Sequence, residues 1–161
     1  MTIFQLLKND HRTVLGLFNE IEKTDQNEPA DCLKLYQQAR EELLVHIVAE
    51  EKAMYPRLIQ EDETRSMGFE ALEEHDLARH LMQQINDLDP QDERWTAKVT
   101  VLQEIVEHHI EDEEQEIFPK MKTTFKARDL EEMARDVEQI KSEQKRSRRR
   151  LQVRTARRRA A

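Results

Sequence analysis

Two stretches of this chain repeat one pattern that can hold a cation. His46-Ile47-Val48-Ala49-Glu50-Glu51-Lys52-Ala53-Met54-Tyr55-Pro56 and His109-Ile110-Glu111-Asp112-Glu113-Glu114-Gln115-Glu116-Ile117-Phe118-Pro119 both read H-x3-E-E-x3-aromatic-P, at an offset of 63 residues. Two further histidines, in Asp10-His11 and Glu74-His75, follow an acid at nearly the same offset, 64 residues. On a helix turning about 100° per residue, an i,i+4 pair diverges by only about 40°. Each imidazole therefore points the same way as its carboxylate. A lone His-x3-Glu is usually a solvated helix face, and a lone inward histidine is more often a hydrogen-bonded core residue. Six such groups in one core are different, because each would cost several kcal/mol if buried without a partner. A metal removes that cost. Imidazole suits Zn, Cu, Fe and Ni, and carboxylate suits harder ions such as Mn. The mixed set points to a pair of mid-row metals, with two imidazoles and two carboxylate oxygens for each. Octahedral iron would keep room for a bridging oxygen and an exogenous ligand; zinc and manganese remain open.

The elements that must position these groups are helices. The chain has 161 residues, 37% of them charged and 5% aromatic, with two glycines and four prolines. That composition excludes collagen-like and Gly/Ser-rich disordered chains and argues against a β-sandwich. Apolar residues recur at three- and four-residue steps in five segments: about 3–23, 30–59, 69–88, 93–122 and from 128 onward. Asn27-Glu28-Pro29, Ser66-Met67-Gly68 and Asp87-Leu88-Asp89-Pro90 carry turn chemistry between them. Short connections favour antiparallel neighbours, so the expected fold is an all-α, up-down-up-down four-helix bundle (residues 1–122) with a C-terminal helix and basic tail (123–161). His11, His46, His75 and His109 occupy stripe positions where a bundle wants leucine.

The set His11, His46-x3-Glu50, His75 and His109-x3-Glu113, with both Glu-Glu-x3-[Tyr/Phe]-Pro continuations, resembles the hemerythrin-like (HHE cation-binding) family over about residues 3–122. The resemblance implies a four-helix bundle around two iron ions, oxo- or hydroxo-bridged. Glu50 and Glu113 would bridge them, with His11 and His46 on one iron and His75 and His109 on the other. It also implies a cytoplasmic protein that binds or reacts with O2, peroxide or NO, with oxidoreductase or peroxide-consuming activity as one outcome. A non-catalytic metal or redox sensor, signalling through the C-terminal helix and tail, is the alternative.

One departure matters. The oxygen-carrying members have a second inward histidine four residues after the helix-3 ligand, where this chain has Arg79. His80 lies about 140° from His75 on an ideal helix and turns inward only through a π-bulge. This puts reversible oxygen carriage in doubt. Tyr55 is a substitute ligand if Pro56 distorts its turn; otherwise an ideal helix points Met54 inward and Tyr55 outward. Glu51 and Glu114 lie beside the seam, where they can orient ligating imidazoles.

The net charge of −8 conceals an acidic body and a basic tail. Residues 141–161 hold ten Lys/Arg against the single acid Glu143, a net charge of +9, which leaves −17 for the preceding 140 residues. Such a tail can serve nucleic acid or anionic membranes. It lacks the aromatic interleaving of single-strand binders, and the favoured reading is a solvated tail that contacts the acidic body. No apolar run approaches the roughly 20 residues of a membrane span, and the N-terminus is too polar for a secretory signal. The single cysteine, Cys32, fits a reducing compartment and has no histidine near it in sequence. There is no Gly-rich phosphate loop and no CxxC pair.

Overall fold

Local signals start the helices. Thr2 and Gln5 form a reciprocal capping box, Pro29 opens the second helix at a position needing no donor, and the Asp92 side chain caps the fifth. The computed structural model describes residues 1–24 and 28–159, with side chains as far as Thr155. Asn27 of the expected first turn, and the side chains of Arg157, Arg158 and Arg159, lie outside the described residues. The elements are α1 (Ile3–Lys23), α2 (Pro29–Ala53), α3 (Tyr55–Leu58), α4 (Arg65–Asn86), α5 (Glu93–Asp112), a π-turn (Glu113–Ile117), α6 (Phe118–Thr124) and α7 (Ala127–Arg159). The fold is all-α. α1 pairs with α2 and α4 with α5, and the two hairpins close a four-helix bundle on which α7 packs, against α2 and α1.

Three boundaries differ from the sequence expectation, each for a local reason. The third long helix begins at Arg65, so Ser66-Met67-Gly68 is its first turn rather than a break. Gly68 is there because a Cβ would meet Ile59 Cγ1 at 3.1 Å. The second helix does not run through to Ile59. It breaks at Met54 (φ −109°, ψ −63°) because Pro56 has no N–H to continue the ladder. The fourth helix meets the same problem at Pro119 and absorbs it as the π-turn, in which the Phe118 N–H bonds the Glu113 carbonyl. Both distortions bury two consecutive residues, Met54 with Tyr55 and Ile117 with Phe118. Tyr55 therefore faces inward, not outward as an ideal helix would place it.

The interior is layered. One apolar cluster contains Val14, Phe18, Tyr36, Leu43, Trp95 and Leu102. The other contains Leu7, Met54, Leu58, Phe118 and Met121, together with Met133 and Val137 of α7. Between them each of α1, α2, α4 and α5 contributes a histidine, and α2 and the π-turn add Glu50 and Glu113, all buried.

Candidate metal centre

All six stripe residues converge. His46 Nε2 lies 3.2 Å from Glu50 Oε1, and His11 Nε2 lies 3.2 Å from Glu113 Oε2. Glu50 Oε2 lies 3.4 Å from His75 Nε2 and 4.0 Å from His109 Nε2, while Glu113 Oε2 lies 3.9 Å from His109 Nε2. Two buried donor groups result: His11, His46, Glu50 and Glu113, and Glu50, His75 and His109. Glu50 belongs to both.

The far side of each ring explains the near side. Every Nδ1 faces a carboxylate: His11 with Glu114 (2.8 Å), His46 with Asp10 (3.4 Å), His75 with Glu51 (3.1 Å) and His109 with Glu74 (2.7 Å). A carboxylate accepts, so Nδ1 carries the proton and Nε2 presents a bare lone pair to the centre. Glu51 and Glu114 orient imidazoles as their place in the repeat suggests, each acting on the opposite hairpin. Asp10 and Glu74 are the functional residues that stripe reasoning missed. The available signal was the acid directly before His11 and His75.

A third set of groups steadies the carboxylates. Lys8 lies 2.8 Å from Glu114, Arg79 clamps Glu51 with both guanidinium nitrogens (2.7 and 2.5 Å), and Lys141 of α7 reaches Asp10 at 2.5 Å. Arg79 thus works on the outer carboxylate. Burial alone would raise the Glu51 carboxyl, yet the bonds from His75 and Arg79 hold it at about 2. Asp10, Glu74 and Glu114 are also held low by their basic partners, against the effect of burial.

The inner groups are tuned differently. Burial pushes the His46 imidazole down to about 4, and it lowers His75 as well. His109 moves up, because the charges of Glu113 and Glu74 overcome its burial. Burial and the nearby Glu113 raise Glu50 well above the carboxylate range, while the surrounding imidazoles hold Glu113 low despite its burial. The two buried carboxyls are thus pushed in opposite directions by their surroundings. Tyr55 donates its hydroxyl to Glu113 Oε1 at 2.6 Å. Burial, then the charges of Glu113 and Glu50, pushes its phenol well up. His80 is exposed and takes no part.

These donors fit a cation. His11 Nε2, His46 Nε2, both Glu50 oxygens and Glu113 Oε2 are buried with no hydrogen-bond partner, although Nε2–carboxylate pairs sit at 3.2 Å. Their angles are wrong for hydrogen bonds. His75 Nε2 and His109 Nε2 face each other at 3.1 Å with both Nδ1 positions taken. Two donors bound to one first-row ion at about 2.1 Å each sit about 3.0–3.4 Å apart. The spacings of 3.1–3.4 Å among His11, His46, His75, His109, Glu50 and Glu113 therefore match ligand edges, and a cation's charge would balance the carboxylates. Because an imidazole's outer partner sets its tautomer, Glu74→Gln should weaken metal retention by about 10–100-fold with the fold intact. Competition against a chelator, alongside circular dichroism, measures this.

Comparison with known proteins agrees with this picture. The family model for the hemerythrin HHE cation binding domain matches residues 2–121. A DNA nickase from Nostoc sp. is 27% identical over 145 residues, 88% of this chain and 40% of the relative, so this chain spans about two fifths of that protein. The crystal structure of a hemerythrin HHE cation binding domain-containing protein from Mycobacterium kansasii matches with a TM-score of 0.74 and 20% identity over 89% of each chain. At that identity the likeness is one of fold.

Proposed function

This chain belongs to the hemerythrin HHE cation-binding domain family, and on that premise we propose that it holds two iron ions and binds or reduces O2, peroxide or NO. The supporting observation is the pair of buried donor groups sharing Glu50, in which four imidazole Nε2 atoms surround two carboxylates and those of His11 and His46 have no hydrogen-bond partner. His11 and His46 would hold one ion, His75 and His109 the other, with Glu50 and Glu113 between them. When bound, the iron pair supplies Lewis-acid and redox chemistry. The protein's share is geometric and electrostatic. The Nδ1 carboxylates fix the rings, and the two apolar clusters exclude water. With Arg79 in place of an imidazole, the reading favours reaction over reversible carriage. Cytoplasmic residence is part of the same proposal; among the described residues no helix is long and apolar enough to cross a membrane.

Tyr55 supplies the extra donor on the asymmetric half. Its ring centroid lies 5.2 Å from that of His75, and its hydroxyl already reaches Glu113. The iron-loaded ferric protein should show a visible phenolate charge-transfer band that Tyr55→Phe abolishes while metal content stays high. An unchanged spectrum would leave Tyr55 as a hydrogen-bond donor only. Metal analysis of protein grown with ample iron tests the whole reading. Two irons per chain and peroxide consumption support it; a single zinc overturns it. Tail release on ligand binding without turnover would instead favour the sensor.

A second reading rests on α7. Lys141, Lys145 and Arg148 contact the body at Asp10, Glu42 and the Glu41 carbonyl, as expected of a tail that docks on its own acidic body. Arg146, Arg149, Arg150 and Arg154 remain exposed. With a relative named as a DNA nickase, this supports weak, sequence-independent contact with nucleic-acid phosphates. Changing these four arginines to glutamine should flatten the slope of log K against log salt by about 3–4 for duplex DNA, read by fluorescence anisotropy.

A further inference from the structure

The two halves of the centre are related by the repeat, but their outer faces are not alike. Asp10 and Glu74 are equivalent residues, each holding the inner imidazole of its own hairpin. Around Asp10, the repeat places Val45, Ala49 and Ala53, all buried. Ala49 and Ala53 pack with Met133, Ala134 and Val137 of α7, and Lys141 lies on Asp10 itself. That mouth is closed. Around Glu74 the same repeat positions are His108, Asp112 and Glu116, and α7 packs instead on α2 and α1. The second mouth is not covered by α7 and bears ligating side chains.

Three of these side chains already converge. His108 Nδ1 lies 3.3 Å from Glu74 Oε1 and 3.2 Å from Asp112 Oδ2, and their donor atoms form a third compact group. One N–H can satisfy only one of these carboxylates well. Glu74 faces two ways, with Oε1 toward His108 and Oε2 on the buried His109 Nδ1. Its neighbours Asp112 and Glu116 line a crevice of about 30 Å³ with it, close to the room one water needs. The site abuts the π-turn, an irregularity of a kind frequent at functional sites. One imidazole and two carboxylates suit a divalent first-row cation held loosely, with its remaining positions on water.

We propose that Glu74, His108 and Asp112 form an outer site for a divalent first-row cation, from which ions load the buried centre through the one mouth that α7 leaves open. This rests on the reading of the buried centre as a metal site. The site is a capture point: its charge concentrates cations and its imidazole selects those that bind nitrogen.

The test uses the full chain, stripped of metal, and Co²⁺, whose visible absorption reports its ligands. The intact protein should take up two ions tightly and one more weakly. His108→Ala and Asp112→Asn lie on the exposed side, so circular dichroism should not change. Each should lose the weak ion, keep both tight ones, and slow loading in stopped-flow by about tenfold, as removing a ligand does. The His108→Ala effect should persist at high salt, because a neutral ligand is lost. Glu116→Gln should slow loading only at low salt, where unscreened charge acts. Unchanged loading by His108→Ala, or loss of a tight ion in it, overturns the outer site while leaving the buried centre standing. No Co²⁺ uptake by the intact chain overturns both.

Discussion

Glu50→Gln should empty the centre. Glu50 is the one residue common to both buried donor groups, with one oxygen toward His46 and the other toward His75 and His109. The amide keeps the shape but offers one neutral acceptor and an N–H₂ that repels a cation. Metal per chain should fall from two to near zero, a loss of affinity beyond the about 10–100-fold of an outer-partner change. The same substitution should leave the metal-free fold as stable as the parent or more so. The carboxyl of Glu50 is raised because burial and Glu113 disfavour its charge, and an amide carries none. Elemental analysis and thermal melts of both proteins check the two halves. Retention of both ions with Gln at this position would remove Glu50 from the ligands. Glu113→Gln should act less completely, because one of its oxygens is already engaged by Tyr55.

Loading the metal-free protein should raise its melting temperature by roughly 8–16 °C. Free metal at about a thousand times its Kd adds about 4 kcal/mol, and a domain of this size gains about 2–4 °C per kcal/mol. Acid should erase the gain. A metal ligand must shed its proton, so affinity falls as pH drops. His46 alone also changes the metal-free protein. Its folded value of about 4 lies below the 6.5 of an ordinary histidine, so the unfolded chain binds more protons between those values. Its contribution to stability is therefore complete above pH 6.5 and declines as pH falls toward about 4. Calorimetry with and without chelator across pH 7.5 to 4 measures both effects. A melting temperature indifferent to loading would mean that the ions do not bind the folded core.

The six inner residues were legible because each interrupts an apolar stripe, and the duplication marked them as a set. The bundle was legible from the same periodicity. The orientation of Tyr55 was not, since an ideal helix turns it away and nothing in the periodicity says how a chain absorbs a proline. Pro56 makes a break and Pro119 a π-turn, although the flanking patterns are nearly identical. Asp10 and Glu74 were visible in sequence as acids before histidines, but their partners lie 36 and 35 residues away on neighbouring helices. Lys141 pairs with Asp10 from 131 residues away, a distance over which spacing carries no signal.

The polar layer between the two apolar clusters has a consequence for cooperativity. Apolar contacts group a domain's interior into clusters, each held together by its own contacts. Here the water-excluding interior is divided by a plane of imidazoles and carboxylates, crossed by four helical backbones. Each end of the bundle can then open with the other still closed, so the two ends are natural sub-global folding units. Among the described residues, apolar side chains of α7 pack into one of them and not into the other. The cation pair proposed above would tie all four helices at that plane and join the two units, so that its loss separates them before it unfolds either.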